Sequence, residues 1–162
     1  MIEKFEGEYA FLSNFYEAPI FYKRRLYMTA EHLFQCCKTP NPDEREAIRS
    51  APTPGQAKRL GRKVTLRPDW DQIKLKAMLG VLKLKFEQNT HLMDKLKATG
   101  TQTLIEGNDW GDTYWGLCNG RGENHLGRLL MIIRGNPQID GSQKSKVKVP
   151  HQTHDPTPEA VT

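Results

Sequence analysis

Between Thr29 and Lys38 the chain reads T-A-E-H-L-F-Q-C-C-K, and this segment restricts the fold more than any other. Ala30, Leu33, Phe34 and Cys37 recur at i, i+3, i+4 and i+7, the apolar stripe of an amphipathic helix, and Thr29 is placed to cap its first turn. Glu31, Gln35 and Lys38 recur at i, i+4 and i+7, so an acid, an amide and an amine project as a second narrow stripe beside the first. Polar groups so placed either form a solvated face with an ion pair or line a cleft.

The remainder reads as mostly helical. Glu8–Ile20 mixes aromatics with Ser13, Asn14 and Pro19 and predicts irregular structure, and Phe21–Tyr27, with a basic turn at Lys23–Arg25, predicts a short hairpin. Helices are predicted over Asp43–Ser50, after the Thr53-Pro54 cap, from Asp69 or Asp71 to about Gln88, from Thr90 to Gly100, and through Leu126, Leu129, Leu130 and Ile133. In the longest of these Ile73, Ala77, Val81 and Leu84 mark one apolar face, widened by Met78, Leu82 and Phe86. Thr103–Glu106 has strand character. The expected fold is α+β: a single compact, helix-rich domain with a small β-sheet over residues 1–137, followed by a flexible polar tail at 138–162.

The 162 residues carry 24 Lys+Arg against 19 Asp+Glu, a net charge of +5. From Asp140 onward Lys144, Lys146 and Lys148 are balanced by Asp140, Asp155 and Glu159, so the whole excess belongs to the residues before them. That excess favours phosphate-bearing ligands or nucleic acid without deciding between them. No apolar run approaches the roughly 18 residues of a membrane span, and the charged start lacks a leader's apolar stretch, so a cytoplasmic protein without membrane contact is expected. Three cysteines, two of them adjacent, form neither a disulfide framework nor a metal ribbon, and no metal is expected. They read as small apolar groups. His32 reads as structural, and Lys83, Lys85, Lys95 and Lys97 as solvated helix faces.

Glu106–Asn124 reads E-G-N-D-W-G-D-T-Y-W-G-L-C-N-G-R-G-E-N, a mixture of acids, tryptophans, amides and glycines that is poor core material. Glycine lets a backbone approach a ligand closely, tryptophan offers a stacking face, and acids transfer protons or hold ribose hydroxyls. Asn124, just after Gly120-Arg121-Gly122 and before an apolar helix, marks a helix N-terminus where a phosphate fits. The competing reading is a glycine-rich connector whose tryptophans cover the core.

Several separate motifs agree in order and spacing with one family. F-L-S-N-F at Phe11–Phe15 with Pro19-Ile20, the Thr29–Lys38 segment, A-x-x-x-G-R at Ala57–Arg62, L-x-x-K-F at Leu82–Phe86, D-x-x-W-G from Asp112, and G-x-G-x-N-x-L-G at Gly120–Gly127 resemble the NADAR family over residues 5–135. The resemblance implies a helical α+β domain and an N-glycosidase that splits a bond between ribose C1 and nitrogen without a cofactor. It implies two substrate classes as partners: phosphorylated ribosylamino pyrimidines of early riboflavin synthesis, or ADP-ribose on guanine in nucleic acid.

Carried over position by position, the family's motifs mark Glu31, Lys38 and Asp112 as catalytic. Ser13, Asn14, Phe15, Gln35, Glu106, Trp115, Gly116 and Asn124 are marked as substrate-binding. The Glu106-to-Asp112 spacing is one residue longer than the family's, which leaves Asp109 as an alternative to Asp112 as the second acid. Cleaving an N-riboside builds positive charge at C1 and negative charge on the departing nitrogen, so carboxylates belong near the sugar and a proton donor near the base. Lys38 either holds a phosphate or protonates the leaving group as a cation, or attacks C1 as a neutral amine and forms a Schiff base; the second route is favoured. The competing functions are a module that binds ADP-ribose or NAD without cleavage, and a nucleic-acid-binding protein.

Overall fold

The basic turn after Tyr22 does form a hairpin, longer than its apolar alternation suggests. In the computed structural model, which describes residues 1–135, β1 (Glu17–Tyr22) pairs antiparallel with β2 (Arg25–Thr29), Ile20 facing Tyr27. Lys23 and Arg24 make the two-residue turn with φ of 46° and 64°, the left-handed pair whose twist matches the strands. Ala18, Ile20, Tyr27 and Thr29 point inward, whereas Phe21, Leu26 and Met28 are exposed. Both edges are occupied by side chains: Gln88 bonds Phe21 N–H at 2.7 Å and its carbonyl at 2.8 Å, and Arg49 donates to the Leu26 carbonyl. The segment before the hairpin, predicted irregular throughout, contains a 3-10 helix at Gly7–Leu12. The predicted tail, 138–162, and the domain boundary at 137 lie outside the described residues.

Thr29 caps α1 (Ala30–Cys36) as its spacing predicts, its Oγ1 accepting from His32 N–H at 3.2 Å. The helix is more deeply set than one apolar stripe implies. Every residue from Ala30 to Cys36 is buried, with Glu31 at 6% and Gln35 at 3% exposure, because α2, α3, α4 and the hairpin all pack around it. Asn41 caps α2 (Pro42–Arg49), and Thr53-Pro54 opens α3 (Pro54–Gly61) as predicted.

The long helix α4 (Trp70–Gln88) packs between α1 and β1 on one side and α5 (Thr90–Ala98) and α6 (His125–Arg134) on the other. Two opposed neighbours rotate its buried face away from the predicted one. Met78, Val81, Leu82 and Phe86 are buried, while Ile73, Ala77 and Leu84 are only half-buried. Lys85 lies on that same face with 0% exposure, so its reading as a solvated lysine is corrected.

Thr103–Glu106 does not form the strand its residues favour. It makes a single parallel bridge to the first residues of the chain, between Ile2 and Leu104, and at its end the Glu106 carbonyl accepts from Leu117 N–H. Ile2 N–H donates to the Thr103 carbonyl, Ile105 N–H to Ile2 and Gly107 N–H to Glu3, and the pairing ends there. Beyond it β3 (Gly107–Asn108) and β4 (Leu117–Cys118) make a minimal parallel pair. The architecture is the expected helix-rich α+β fold, with two two-stranded sheets in place of one.

Candidate active site

The acid and amide of α1 and the amine in the turn just beyond it, Lys38, are the first candidate site groups. Gln35 Nε2 donates to Glu31 Oε1 at 2.6 Å, one helical turn apart. Burial pushes the Glu31 carboxyl above its usual range, and the Gln35 bond and the charges of Lys58 and Lys38 only partly oppose it. Burial also holds the half-buried Lys38 ammonium below its usual range; Glu31 raises it, while Lys58 and Arg62 lower it further. Lys38 Nζ lies 6.0 Å from the Trp70 ring centroid. The helix and the turn just beyond it therefore present a carboxyl biased toward its neutral form and an amine biased the same way.

A second wall is the turn after the 3-10 helix. The Asn14 carbonyl accepts from Glu31 N–H at 3.1 Å, so this turn is bonded to the start of α1. Ser13 Oγ accepts from Phe15 N–H at 3.1 Å. Asn14 Nδ2 reaches Met78 Sδ, and its Oδ1 is buried with no partner among the described residues. Phe15 is 43% exposed, with Lys58 Nζ 5.8 Å from its ring centroid. Beneath the turn Lys85 Nζ donates to the Phe11 carbonyl at 2.7 Å and the Ser13 carbonyl at 2.9 Å. Burial brings this lysine down to about 7 against the attraction of Glu106.

The glycine-rich segment supplies the third wall. Glu106 is pushed up to about 7, first by burial and then by the negative charges of Asp112 and Glu31. Asp112 Oδ1 accepts from Trp115 N–H at 2.9 Å and Tyr114 N–H at 3.1 Å, an Asx turn that fixes the tryptophan. The Trp115 ring meets Phe34 edge-on at 5.4 Å, and Phe34 in turn meets Trp70 at 5.2 Å, so an aromatic row runs beside α1. Asp109 is exposed, whereas Asp112 is the acid whose charge acts on Glu106.

Two of the expected substrate-binding residues, Gly116 and Asn124, make structural contacts within the chain. A Cβ on Gly116 would overlap the Glu106 carbonyl, so this glycine permits contact between two backbone segments. Asn124, with φ of 51°, bonds Glu106 N–H through Oδ1 at 3.0 Å and the Leu104 carbonyl through Nδ2 at 2.9 Å. Its amide is fully engaged in holding the strand that carries Glu106, and it leaves the N-terminus of α6 without a side-chain cap.

Sequence reading gave no role to Lys58, Arg62 or Lys85, although Arg62 and Lys85 stand in the A-x-x-x-G-R and L-x-x-K-F motifs and Lys58 lies one turn before Arg62. His32 is structural as expected: Nε2 donates to the Ala51 carbonyl at 2.9 Å and Nδ1 lies 2.7 Å from Thr29 Oγ1. Burial raises Cys36 to about 12 and Cys37 to about 11, which keeps both thiols protonated. Among the described residues no group of three or more His, Cys, Asp or Glu gathers as a metal site, and no helix is long and apolar enough to cross a membrane.

The chain is 39% identical over 136 residues to the N-glycosidase YbiA of Shigella boydii, an alignment covering 82% of this chain and 84% of that protein. It is 36% identical over 132 residues to a riboflavin biosynthesis protein of Vibrio vulnificus, covering 80% of this chain and 36% of that longer protein. The NMR structure of E. coli YbiA superposes with a TM-score of 0.74 at 36% identity, over 83% of this chain and 85% of that one. Residues 2–136 match the NADAR domain, and by that match and these relatives the chain belongs to the NADAR family of glycosidases.

Proposed function

We propose that the chain hydrolyses the ribose C1–N bond of a phosphorylated ribosylamino pyrimidine, the substrate class of early riboflavin synthesis. The single observation that carries this reading is the placement of a buried acid, Glu31, bonded to Gln35 at 2.6 Å on α1, with the Lys38 amine in the turn just beyond the helix, each acting on the other's charge. A module that only binds ADP-ribose has no use for two ionisable groups buried at such cost. The name of the Vibrio relative supports the pyrimidine riboside.

In this reading the Lys38 amine attacks C1 and forms an Nζ–C1 bond while the C1–N bond to the base breaks. The base nitrogen takes a proton from Glu106, which is half in its acid form near pH 7. Glu31, biased toward its acid form, gives its proton to the ring oxygen as the sugar opens to the iminium and takes one back from Nζ. Water then adds to C1, the proton it releases returns to Glu106, and the C1–Nζ bond breaks to free the aldehyde form of the sugar and the Lys38 amine. Asp112, expected as the second sugar-side acid, acts here by holding Trp115 and by keeping Glu106 in its acid form. Trp115 and Phe15 stack on the base, Gln35 and Asn14 accept from sugar hydroxyls, and Lys58 and Arg62 take the phosphate.

The test incubates the protein with the ribosylamino pyrimidine phosphate and, separately, with ADP-ribosylated DNA, and follows released base or sugar by mass spectrometry. Release from the first is expected. Release only from the second reassigns the substrate, and binding of ADP-ribose by calorimetry with no release from either removes the catalytic reading.

A further inference from the structure

We infer that Lys85 is a positioning residue for this site: from inside the core it fixes the Phe11–Phe15 turn and, through Asn14, the start of the helix that carries Glu31. The ammonium is fully buried, and its two bonds end on the carbonyls of Phe11 and Ser13. Ser13 is the last-turn cap of the 3-10 helix, and its side chain holds Phe15 N–H. The next carbonyl along, that of Asn14, receives Glu31 N–H. One side chain on α4 thus bonds the Phe11 and Ser13 carbonyls, directly before the residue whose carbonyl receives the N–H of the acid.

Core stability alone does not account for a lysine here. Met78, Leu82 and Phe86 surround its position on the helix, and an apolar side chain of similar length would fill the same volume without desolvating an amine. What an apolar side chain would not supply is a pair of donors to two carbonyls in a turn that lies 72 and 74 residues away in sequence. Phe11 and Leu12 pack in the core and Asn14 meets Glu31 N–H and Met78 Sδ, but only Lys85 bonds the carbonyls of Phe11 and Ser13 from α4, which sets the path of the turn between them.

The activity arm of the test rests on the glycosidase reading, and a second arm does not. Lys85→Met, similar in length but without donors, is expected to keep its far-ultraviolet circular dichroism and to lose 10- to 100-fold in kcat with KM changed less than threefold. Lys85→Arg, which restores donors, is expected to recover part of the kcat loss. In the wild-type protein, amide exchange followed by NMR is expected to show Glu31 and Phe15 protected like the middle of α4. A folded Lys85→Met enzyme with kcat within twofold of wild type overturns the inference. So does exchange of the Glu31 and Phe15 amides at the rate of exposed loops, a result readable even if the methionine variant does not fold. Wild-type protein inert toward every riboside, with those amides protected, sinks the functional reading and leaves the positioning contact standing.

Discussion

Gly61 of α3 lies so close to Gln35 of α1 that a methyl group on its Cα would overlap the Gln35 side-chain oxygen. Gln35 in turn holds Glu31, so α3 helps to set the acid without touching it. Gly61→Ala should displace Gln35 and destabilise the fold by about 1–3 kcal/mol, the usual cost of overpacking. kcat should fall at least tenfold. Adding Gln35→Ala should return the melting temperature toward wild type but not the activity; recovery of both would show that Gln35 does nothing for Glu31.

Lys38→Ala should lose at least a thousandfold in kcat while the melting transition stays near wild type, because the half-buried side chain carries little of the core. Borohydride added during turnover should leave a sugar adduct on Lys38, located by peptide mass mapping. A rate near wild type in the alanine variant would end both proposed roles of the amine. Full activity loss with no trapped adduct would favour the cationic role.

The pH profile follows from Glu106. It titrates at about 7 in the fold and near about 4.3 in an unfolded chain, so between those values only the folded state keeps the proton. The stability contributed by this group is complete below the unfolded value and is lost as pH rises through about 7. Glu106→Gln should flatten that decline in chemical denaturation. As proton donor the residue must be in its acid form, so kcat/KM should fall above about pH 7. Asp112→Asn retains an oxygen for the Trp115 turn but removes the neighbouring charge, and should move the falling limb to lower pH. An unmoved limb would separate Asp112 from Glu106.

Lys58 and Arg62 are the groups proposed to take the phosphate. Lys58→Gln should raise KM for the phosphorylated riboside about tenfold and leave the dephosphorylated one unchanged, consistent with one lost charge-assisted contact. The wild-type KM should rise with salt and the variant's should rise less. Equal effects on both substrates would place the phosphate elsewhere.

Much of this was legible from residue order because it depends on local period and caps. The α1 stripe, the Thr29 cap and the Thr53-Pro54 start all appear where spacing puts them. The strand at Thr103–Glu106 failed because strand formation needs a partner of matching length, and the chain's first residues supply only one bridge. Lys85 was unreadable for a related reason: on a helix surrounded on two sides, periodicity does not say which lysine faces inward. The two bonds that Asn124 makes to Glu106 N–H and the Leu104 carbonyl depend on its left-handed backbone, which residue order does not reveal. The meeting of Glu31 with Glu106 was proposed through family resemblance and not through any local pattern, since no local pattern links positions so far apart.

Residues 2 and 3 bond to the backbone on either side of Glu106. Closing a loop of roughly a hundred residues is among the costlier steps available to a chain of this size, so such a contact tends to form late and to open early. Glu106, the proposed proton donor, then acquires its setting only after the helices have gathered, and mild denaturant should silence turnover while the helical signal is still intact.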